Sequence, residues 1–292
     1  MAYLRALWGA REIIEHLVRR ELRVRYKASV LGFFWSFLRP LLIMLILTVV
    51  FSFLLRFPID YEIPCRLGAG WTGGSYPIFL LVALIPWFFT VGALNDSVGA
   101  LVHNAPLIRK VALPGEVFPL ASVLANLVNF FLSLAILLPV LFVLFEIRLH
   151  GYLLLLPLLV AVQLLMTVGI AFILSVGNVF FRDVTLIFEL VSMMWFYLTP
   201  IFYPLSMIQE RLPEREGLII SIFMLNPMTP LVQAYRWVLL RGAPVGAPER
   251  VVSLSAGQMA LGAASVVFWT GVALALGVWL FRRFWRRIPD EL

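Results

Sequence analysis

The side chains that usually carry out chemistry are sparse in this sequence and lie far apart. The only lysines are Lys27 and Lys110, and neither follows a glycine-rich loop, so the chain has no phosphate-binding GxxxxGK[ST] motif. The three histidines occur in separate segments, which argues against a metal site. Cys65 is the single cysteine, which excludes an intrachain disulfide. We therefore expect no metal or cofactor in this chain and no ATP hydrolysis by the chain alone.

Two carboxylates, Asp96 and Glu189, fall within long apolar stretches, where an unpaired charge is costly. Both lie near one end of their stretch, where water or a basic neighbour such as Arg109 or Arg182 can reach them. A structural role and a functional role are equally open for each. Because no titratable group lies deeper in the stretches, a proton-driven carrier is disfavoured, and we expect a partner to supply the driving force.

The composition places most of the chain in a membrane. Of its 292 residues, 62% are hydrophobic and 13% are charged, and the mean hydropathy is +0.97. A soluble domain of this length could not bury so much apolar surface. The net charge of +7 would suit a nucleic-acid-binding protein. Basic residues beside apolar spans are more typical of contact with anionic lipids, so we expect membrane lipids and not nucleic acid as partners.

Six stretches are long and apolar enough to cross a bilayer, which takes roughly 20 helical residues. They are residues 33–55, 76–102, 117–145, 152–181, 184–203 and 258–281. The first begins after a long charged segment and is too long for the apolar part of a signal peptide, so we expect it to be retained. The pattern predicts an all-α integral membrane protein, with residues 1–292 as one domain and a six-span core at 33–281.

The distribution of Lys and Arg predicts the orientation of the spans. Fifteen of the 23 basic residues fall on the side of the membrane that holds the N-terminus, including a group just after the last span. Cytoplasmic flanks carry the excess of basic residues. We therefore expect both termini, including the tail at 282–292, to be cytoplasmic.

Residues 11–27 predict an amphipathic helix that lies in the membrane interface. Charged side chains recur every three or four positions, and apolar side chains fill the other side. A group of aromatic residues follows at Phe33, Phe34, Trp35 and Phe37. These rings fit an interfacial aromatic belt, and they also fit a surface that stacks on sugars; the pattern leaves both interpretations open.

The loop between the fifth and sixth predicted spans is unusual. Its apolar stretches at 218–225 and 231–240 are too short to span a membrane and too apolar for free solution. They predict two short re-entrant or interfacial helices on the outer side. On the inner side, a short helix is predicted before Pro114-Gly115.

Several blocks of sequence carry a family resemblance. They are RELRVRYKASVLGFFWSFLRPLL, PLIRKVALPGEVFPL, FFRDV, LTPIFYP and LNPMTPLVQAYR. In order and spacing, these blocks resemble those in the membrane subunits of ABC-2 type exporters of cell-surface polysaccharides, such as O-antigen and teichoic-acid permeases. The resemblance covers nearly the whole chain, but it is much less specific for the polymer carried.

The resemblance implies a six-span permease of the bacterial cytoplasmic membrane that works as a homodimer. Two copies of a separate cytosolic ATPase would bind ATP and Mg and drive transport. The substrate would be a polysaccharide on an undecaprenyl diphosphate carrier, which moves along an aromatic-lined channel between the two permease subunits.

The resemblance also assigns roles to residues. The helix at 11–27 and a coupling helix at 106–113 would contact the ATPase, through Glu12, Glu15, Arg19, Pro106, Leu107, Ile108, Arg109 and Lys110. The channel rings would be Phe33, Phe34, Trp35, Phe37, Trp87, Phe88, Phe89, Trp195, Phe196 and Tyr197. Arginine meets phosphate oxygens in a bidentate fashion. Candidates for the carrier diphosphate are Arg23, Arg25, Lys27 and Arg39, with a role in topology alone equally open.

Two other functions remain open from the sequence. An ABC-2 exporter of a small molecule or another lipid would share the architecture with less need of rings for sugar. A membrane enzyme that modifies glycans would function without an ATPase partner.

Overall fold

The computed structural model describes residues 9–27, 32–54, 75–110, 113–145, 147–205, 207, 216–241 and 254–292, and these ranges are helical with short connections. The helices are α1 (Arg11–Tyr26), α2 (Trp35–Thr48), α3 (Ser75–Val98), α4 (Ala100–His103), α5 (Ala105–Ile108), α6 (Val117–Leu144), α7 (Leu156–Phe180), α8 (Val184–Leu198), α9 (Glu216–Leu225), α10 (Met228–Leu240), α11 (Ala256–Phe284) and α12 (Ile288–Glu291). The predicted outer loop at 56–75 lies almost wholly outside the described residues.

Four helices, namely α3, α6, α7 and α11, are long and apolar enough to cross a membrane. They confirm the second, third, fourth and sixth predicted spans. The first and fifth correspond to the shorter apolar helices α2 and α8, so the count of six spans stays a prediction. A π-helical turn over Val49–Leu54 extends α2.

Helix α8 ends earlier than predicted because of a proline. Thr199 has an extended backbone, with φ −101° and ψ 131°. A residue that precedes proline is disfavoured in the α region, and Pro200 follows directly. The chain therefore leaves the helix at Leu198, five residues before the predicted end at Tyr203.

Helix α3 lies at the centre of the bundle. Most of its apolar span is buried inside the protein, whereas a smaller share of the spans of α6, α7 and α11 is buried. Helices α7 and α11 make the closest crossing through small residues. A Cβ atom at Gly277 would stand 2.7 Å from the carbonyl oxygen of Gly169. Side chains larger than hydrogen at either position would force these helices apart.

The predicted amphipathic helix is confirmed as α1, but its apolar side meets protein. Leu17 is buried, and Ile13, Ile14 and Val18 pack against the same core. The helix lies along α6. Its charged residues Glu15 and Arg19 form an ion pair on the exposed side.

The two short helices predicted between the fifth and sixth spans are confirmed as α9 and α10, which meet at a bend of 99°. Their place on the outer side stays a prediction. Asn226 holds this bend against the end of α8. Its Oδ1 accepts hydrogen bonds from the Met228 backbone N–H at 3.1 Å and from Trp195 Nε1 at 2.8 Å, and its Nδ2 donates to Thr199 Oγ1 at 3.0 Å.

Arg236 on α10 makes a second attachment to the end of α8. Its side chain is fully buried. Nη1 donates to the Pro200 carbonyl at 2.7 Å and Nη2 to the Ile201 carbonyl at 2.6 Å, while the guanidinium lies 3.4 Å from the Phe79 ring centroid. These carbonyls follow the C-terminus of α8, where a positive charge is favourable.

We expect Arg236→Met to lower the free energy of unfolding by about 3 kcal/mol, because two buried carbonyls lose charged donors. The free energy of unfolding of Arg236→Lys should lie between those of wild type and Arg236→Met. Its ammonium keeps the positive charge but lacks the planar guanidinium that binds both carbonyls. Unfolding in mixed micelles at increasing SDS fraction measures the change. Arg148→Met, at an exposed site, is the control. Equal stability of Arg236→Met and Arg148→Met would contradict the assigned role of Arg236.

Candidate functional site

A cavity of about 520 Å³ lies between α1, α2, α3 and α6. Its walls combine basic side chains, aromatic rings and amides, including Arg25, Arg39, Trp35, Phe88, Phe89, Asn126 and Asn129. Two of the predicted diphosphate candidates and three of the predicted rings are therefore brought to one cavity. Amides of α6 complete it.

A triangle of polar groups closes the cavity on the side of α1. Arg25 pairs with Asp96 through Nη2 and Oδ2 at 2.5 Å, and its Nη1 donates to Asn126 Oδ1 at 3.1 Å. Asn126 Nδ2 in turn donates to Asp96 Oδ2 at 2.6 Å. Asp96 thus has its basic partner in Arg25, and neither Arg109 nor Arg182 is needed for that role. The pair is partly exposed, with the two side chains 31% and 40% accessible.

The contact between α1 and α6 continues on either side of this triangle. Ser122 Oγ donates to Glu21 Oε1 at 2.8 Å, and the Tyr26 hydroxyl donates to Asn129 Oδ1 at 2.7 Å. Next to Glu21 on α1, Arg20 donates to Asn104 Oδ1 at 2.5 Å. Helix α1 is therefore held by polar bonds along its C-terminal half as well as by its apolar side.

The partners on α6 form a polar stripe that the predictions from sequence missed. It consists of Ser122, Asn126, Asn129 and Ser133, all of them buried. Their spacing of four, three and four places them on one face of a helix. Polar side chains at that spacing inside an apolar span are a readable signal, because hydrocarbon gives them no partner.

Glu21, on α1 and outside the spans, is a titratable group whose pKa is shifted by its surroundings. Burial raises the pKa of its carboxyl above the ordinary value of 4.5, and the negative charge of Asp96 adds to the rise. The hydrogen bond from Ser122 and the charges of Arg25 and Arg20 oppose it. The net direction is upward, so the charged form of Glu21 is less favourable where α1 meets α6 than it is in water.

The rings predicted to contact sugar fall into two separate groups. The first borders the cavity: Trp35 is 50% exposed, the Arg39 guanidinium lies 5.8 Å from the Phe88 ring centroid, and Phe89 packs on Phe130 at 5.1 Å. Phe34, which is 40% exposed, packs against the buried Phe37. The side chain of Phe33 lies outside the described residues.

The second group joins α3 to α8. Trp87 contacts Trp195 and Phe196, each with ring centroids 5.6 Å apart. Trp87 is buried and does not border the cavity, whereas Tyr197 is 56% exposed. Consecutive residues on a helix point about 100° apart, so Trp87 and Phe88 serve different surfaces. A sugar contact for any of these rings stays a prediction.

The residues predicted to contact an ATPase differ in exposure. Glu12, Glu15 and Arg19 are exposed on α1, as are Pro106, Arg109 and Lys110 beyond α4. Leu107 is half-buried, and Ile108 is buried in the core of this chain. The predicted coupling helix is a single turn at α5, and residues 111–112 lie outside the described part. Arg23 and Lys27, the remaining diphosphate candidates, are exposed.

Comparison with known proteins identifies the family. Residues 13–240 match the family described as ABC-2 type transporter. The chain belongs to the ABC-2 type transporter family. It is therefore a multi-pass membrane permease and not an enzyme. Within the described ranges, no three His, Cys, Asp or Glu side chains come together as a metal site.

Three relatives of this chain have names that describe export or transport. An O-antigen export system permease protein RfbA of Myxococcus xanthus is 32% identical over 265 residues, which is 91% of this chain and 94% of the relative. A Klebsiella pneumoniae protein of the same name is 30% identical, covering 79% of this chain and 81% of its own. The polysialic acid transport protein KpsM of Escherichia coli is 33% identical over 33% of each chain.

We expect Glu21→Gln to change how stability depends on pH. The glutamine keeps an acceptor for Ser122 and carries no charge. Because the folded pKa of Glu21 is raised, the wild-type chain loses stability relative to this variant as pH rises above 4.5 and through the folded pKa. Unfolding in mixed micelles measures this difference. The pH should run from about 4, near the ordinary carboxyl pKa, to about 8.

Glu12→Gln is the matched control for this measurement, since Glu12 is exposed on the same helix. We expect the stability of Glu21→Gln relative to wild type to change more with pH than that of Glu12→Gln. An equal pH dependence of the two variants would contradict the assigned burial of Glu21.

Proposed function

We propose that this chain is the transmembrane subunit of an ABC exporter that moves an undecaprenyl-diphosphate-linked polysaccharide across the bacterial cytoplasmic membrane. Two copies form the channel, and both termini of each copy face the cytoplasm. The observation that carries the proposal is the similarity over nearly the full chain to an O-antigen export permease. The relative KpsM, whose name gives polysialic acid as its cargo, supports a sugar polymer as the class of substrate.

The cavity supports this proposal because it combines the two chemistries that a lipid-linked glycan presents. Arg39 offers a guanidinium for the diphosphate, and it stands at the wall that also carries Trp35 and Phe88. An aromatic face packs against the C–H groups of a sugar. Such contacts are weak individually, so a polymer that slides along them is not trapped. Arg25 is engaged with Asp96, which makes Arg39 the better of the two candidates.

Exposed apolar faces on α2 and α8 support a homodimer. Leu42, Leu45 and Ile46 on α2 are 47%, 56% and 58% exposed, and α8 buries only Phe188 and Ser192. Trp35 and Tyr197, two predicted channel rings, are exposed on these same helices. A second copy packed there would surround a channel with rings from both subunits.

A cytosolic ATPase that binds ATP and Mg supplies the energy in this proposal, with one copy for each permease. The exposed charges of α1 and the residues Pro106, Arg109 and Lys110 form its docking surface. The bond between Arg20 and Asn104 supports a single surface, because it ties α1 to the loop that carries α5. Movement of the ATPase would then reach α3 and α6 through Arg25, Asp96 and Asn126.

Depletion of the chain from its cells tests the transport function. We expect a glycan linked to undecaprenyl diphosphate to accumulate on the cytoplasmic side while its surface form disappears, since synthesis continues without export. Mass spectrometry of extracted lipids, with and without re-expression, measures this. Accumulation of an unglycosylated lipid or a small molecule would overturn the polysaccharide proposal, and an isolated chain that hydrolyses ATP would overturn the separate ATPase.

The role of the cavity wall is tested with Trp35→Leu, which keeps apolar bulk and removes the stacking face. We expect surface glycan to fall about fivefold or more, as the loss of roughly 1 kcal/mol of stacking implies. Trp279→Leu is the matched control, because Trp279 is 56% exposed on α11 and does not border the cavity. The readout is glycan exported at equal membrane levels. Equal export by both variants would argue that Trp35 only anchors α2.

A further inference from the structure

A second cavity, of about 340 Å³, lies on the other side of the bundle, between α7, the bent pair α9 and α10, and α11. It shares no lining residue with the first cavity. Almost all of its lining is aliphatic or aromatic, and its single amide comes from Gln233. The transport function described above does not use it.

The second cavity opens toward lipid. Three of its lining residues, Leu158, Met259 and Val267, are 60%, 49% and 68% exposed. They stand on α7 and α11, which are helices long and apolar enough to span the membrane. Exposed apolar side chains on such helices face acyl chains, so acyl chains have direct access to the cavity.

Gln233 gives this cavity a specific chemistry. Its side chain is only 3% exposed, and neither Nε2 nor Oε1 has a hydrogen-bond partner within the described part of the chain. Gln163, equally buried, is fully engaged: its amide donates to the Pro86 carbonyl and to Thr90 Oγ1, and its oxygen accepts from Tyr235. A buried amide without partners costs roughly 1–3 kcal/mol. The occupant of the cavity should therefore combine apolar length with a hydrogen-bond acceptor.

A cation stands at the rim of the same cavity. Gln233, Trp237 and Arg241 follow one another at intervals of four residues, so they share one face of α10 and its end. Trp237 lines the cavity. The Arg241 guanidinium lies 4.4 Å from the Trp237 ring centroid and 4.2 Å from that of Tyr152. At 1.5 Å of rise per residue, the Cα atom of Arg241 lies about 12 Å along the helix axis from that of Gln233.

We propose that this cavity binds one membrane glycerophospholipid, with an acyl chain in the apolar pocket. An ester carbonyl of the lipid accepts a hydrogen bond from the Gln233 amide, and the phosphate lies beside Arg241. The order of groups along the lipid, from acyl chain through ester to phosphate, matches the order from aliphatic lining through Gln233 to Arg241. Bound lipid would fill the space beneath α10 and support the bent pair.

The test uses the purified full chain, stripped of lipid in detergent and titrated with palmitoyl-oleoyl phosphatidylglycerol. Native mass spectrometry counts the lipids bound. We expect one lipid to bind to the wild type. Ala263→Phe should weaken its binding at least tenfold, because Ala263 is exposed at the cavity lining and a phenyl group there occupies the space. Ala264→Phe is the matched control, since Ala264 is also exposed and does not line the cavity.

Two further variants separate the parts of the proposal. Gln233→Leu removes the hydrogen bond and should weaken phosphatidylglycerol binding about tenfold, which corresponds to about 1.4 kcal/mol. Arg241→Gln should reduce binding of phosphatidylglycerol but leave that of palmitoyl-oleoyl glycerol, which lacks the phosphate, unchanged. Equal lipid affinity of wild type, Ala263→Phe and Gln233→Leu would overturn the site. Tighter binding of the phosphate-free lipid to wild type would overturn the role of Arg241. The result does not depend on the transported substrate.

Discussion

Polar side chains that a protein carries into hydrocarbon must find partners within the protein, because lipid tails offer none. This constraint organises the described part of the chain. Arg236 binds the carbonyls that follow α8, Asn226 holds the bend between α9 and α10, and Gln163 joins α7 to α3 and α10. The bonds of Arg236 and Gln163 link segments that are distant in sequence. An apolar helix face packs about as well against lipid tails as against another helix, so apolar contacts alone do not choose its neighbour. These polar bonds select one arrangement of the helices.

The same constraint explains why α1 lies on protein and not only on lipid. Its charged and polar residues meet the stripe of amides and hydroxyls on α6, and Arg25 reaches Asp96 on α3. An amphipathic helix that was free in the interface would leave Asn126 and Asn129 without these bonds. In the proposed function, helix α1 would be both the docking surface for the ATPase and a wall of the cavity that receives substrate.

Hydropathy predicted the long helices well, because the length of an apolar run follows directly from bilayer thickness. It predicted their lateral neighbours poorly. The sequence placed Arg236 in the predicted outer loop, yet its side chain is fully buried. The basic partner of Asp96 is Arg25, which the sequence did not indicate. Helices that are apolar on every face do not reveal which face meets which helix. The polar stripe on α6 was readable from its spacing, whereas its pairing with α1 depends on tertiary structure.

Helix α3 separates two ring surfaces that are one residue apart. Phe88 faces the cavity, and Trp87 packs on Trp195, whose indole N–H is bonded to Asn226. Because Trp87 and Phe88 are consecutive residues of one helix, a rotation of α3 that moved Phe88 away from the cavity would turn Trp87 in the same direction. In the proposed function, the cavity and the bend between α9 and α10 would thus move together through α3. Entry of the polymer into the cavity would therefore move the bend held by Asn226, while the helices keep their lengths.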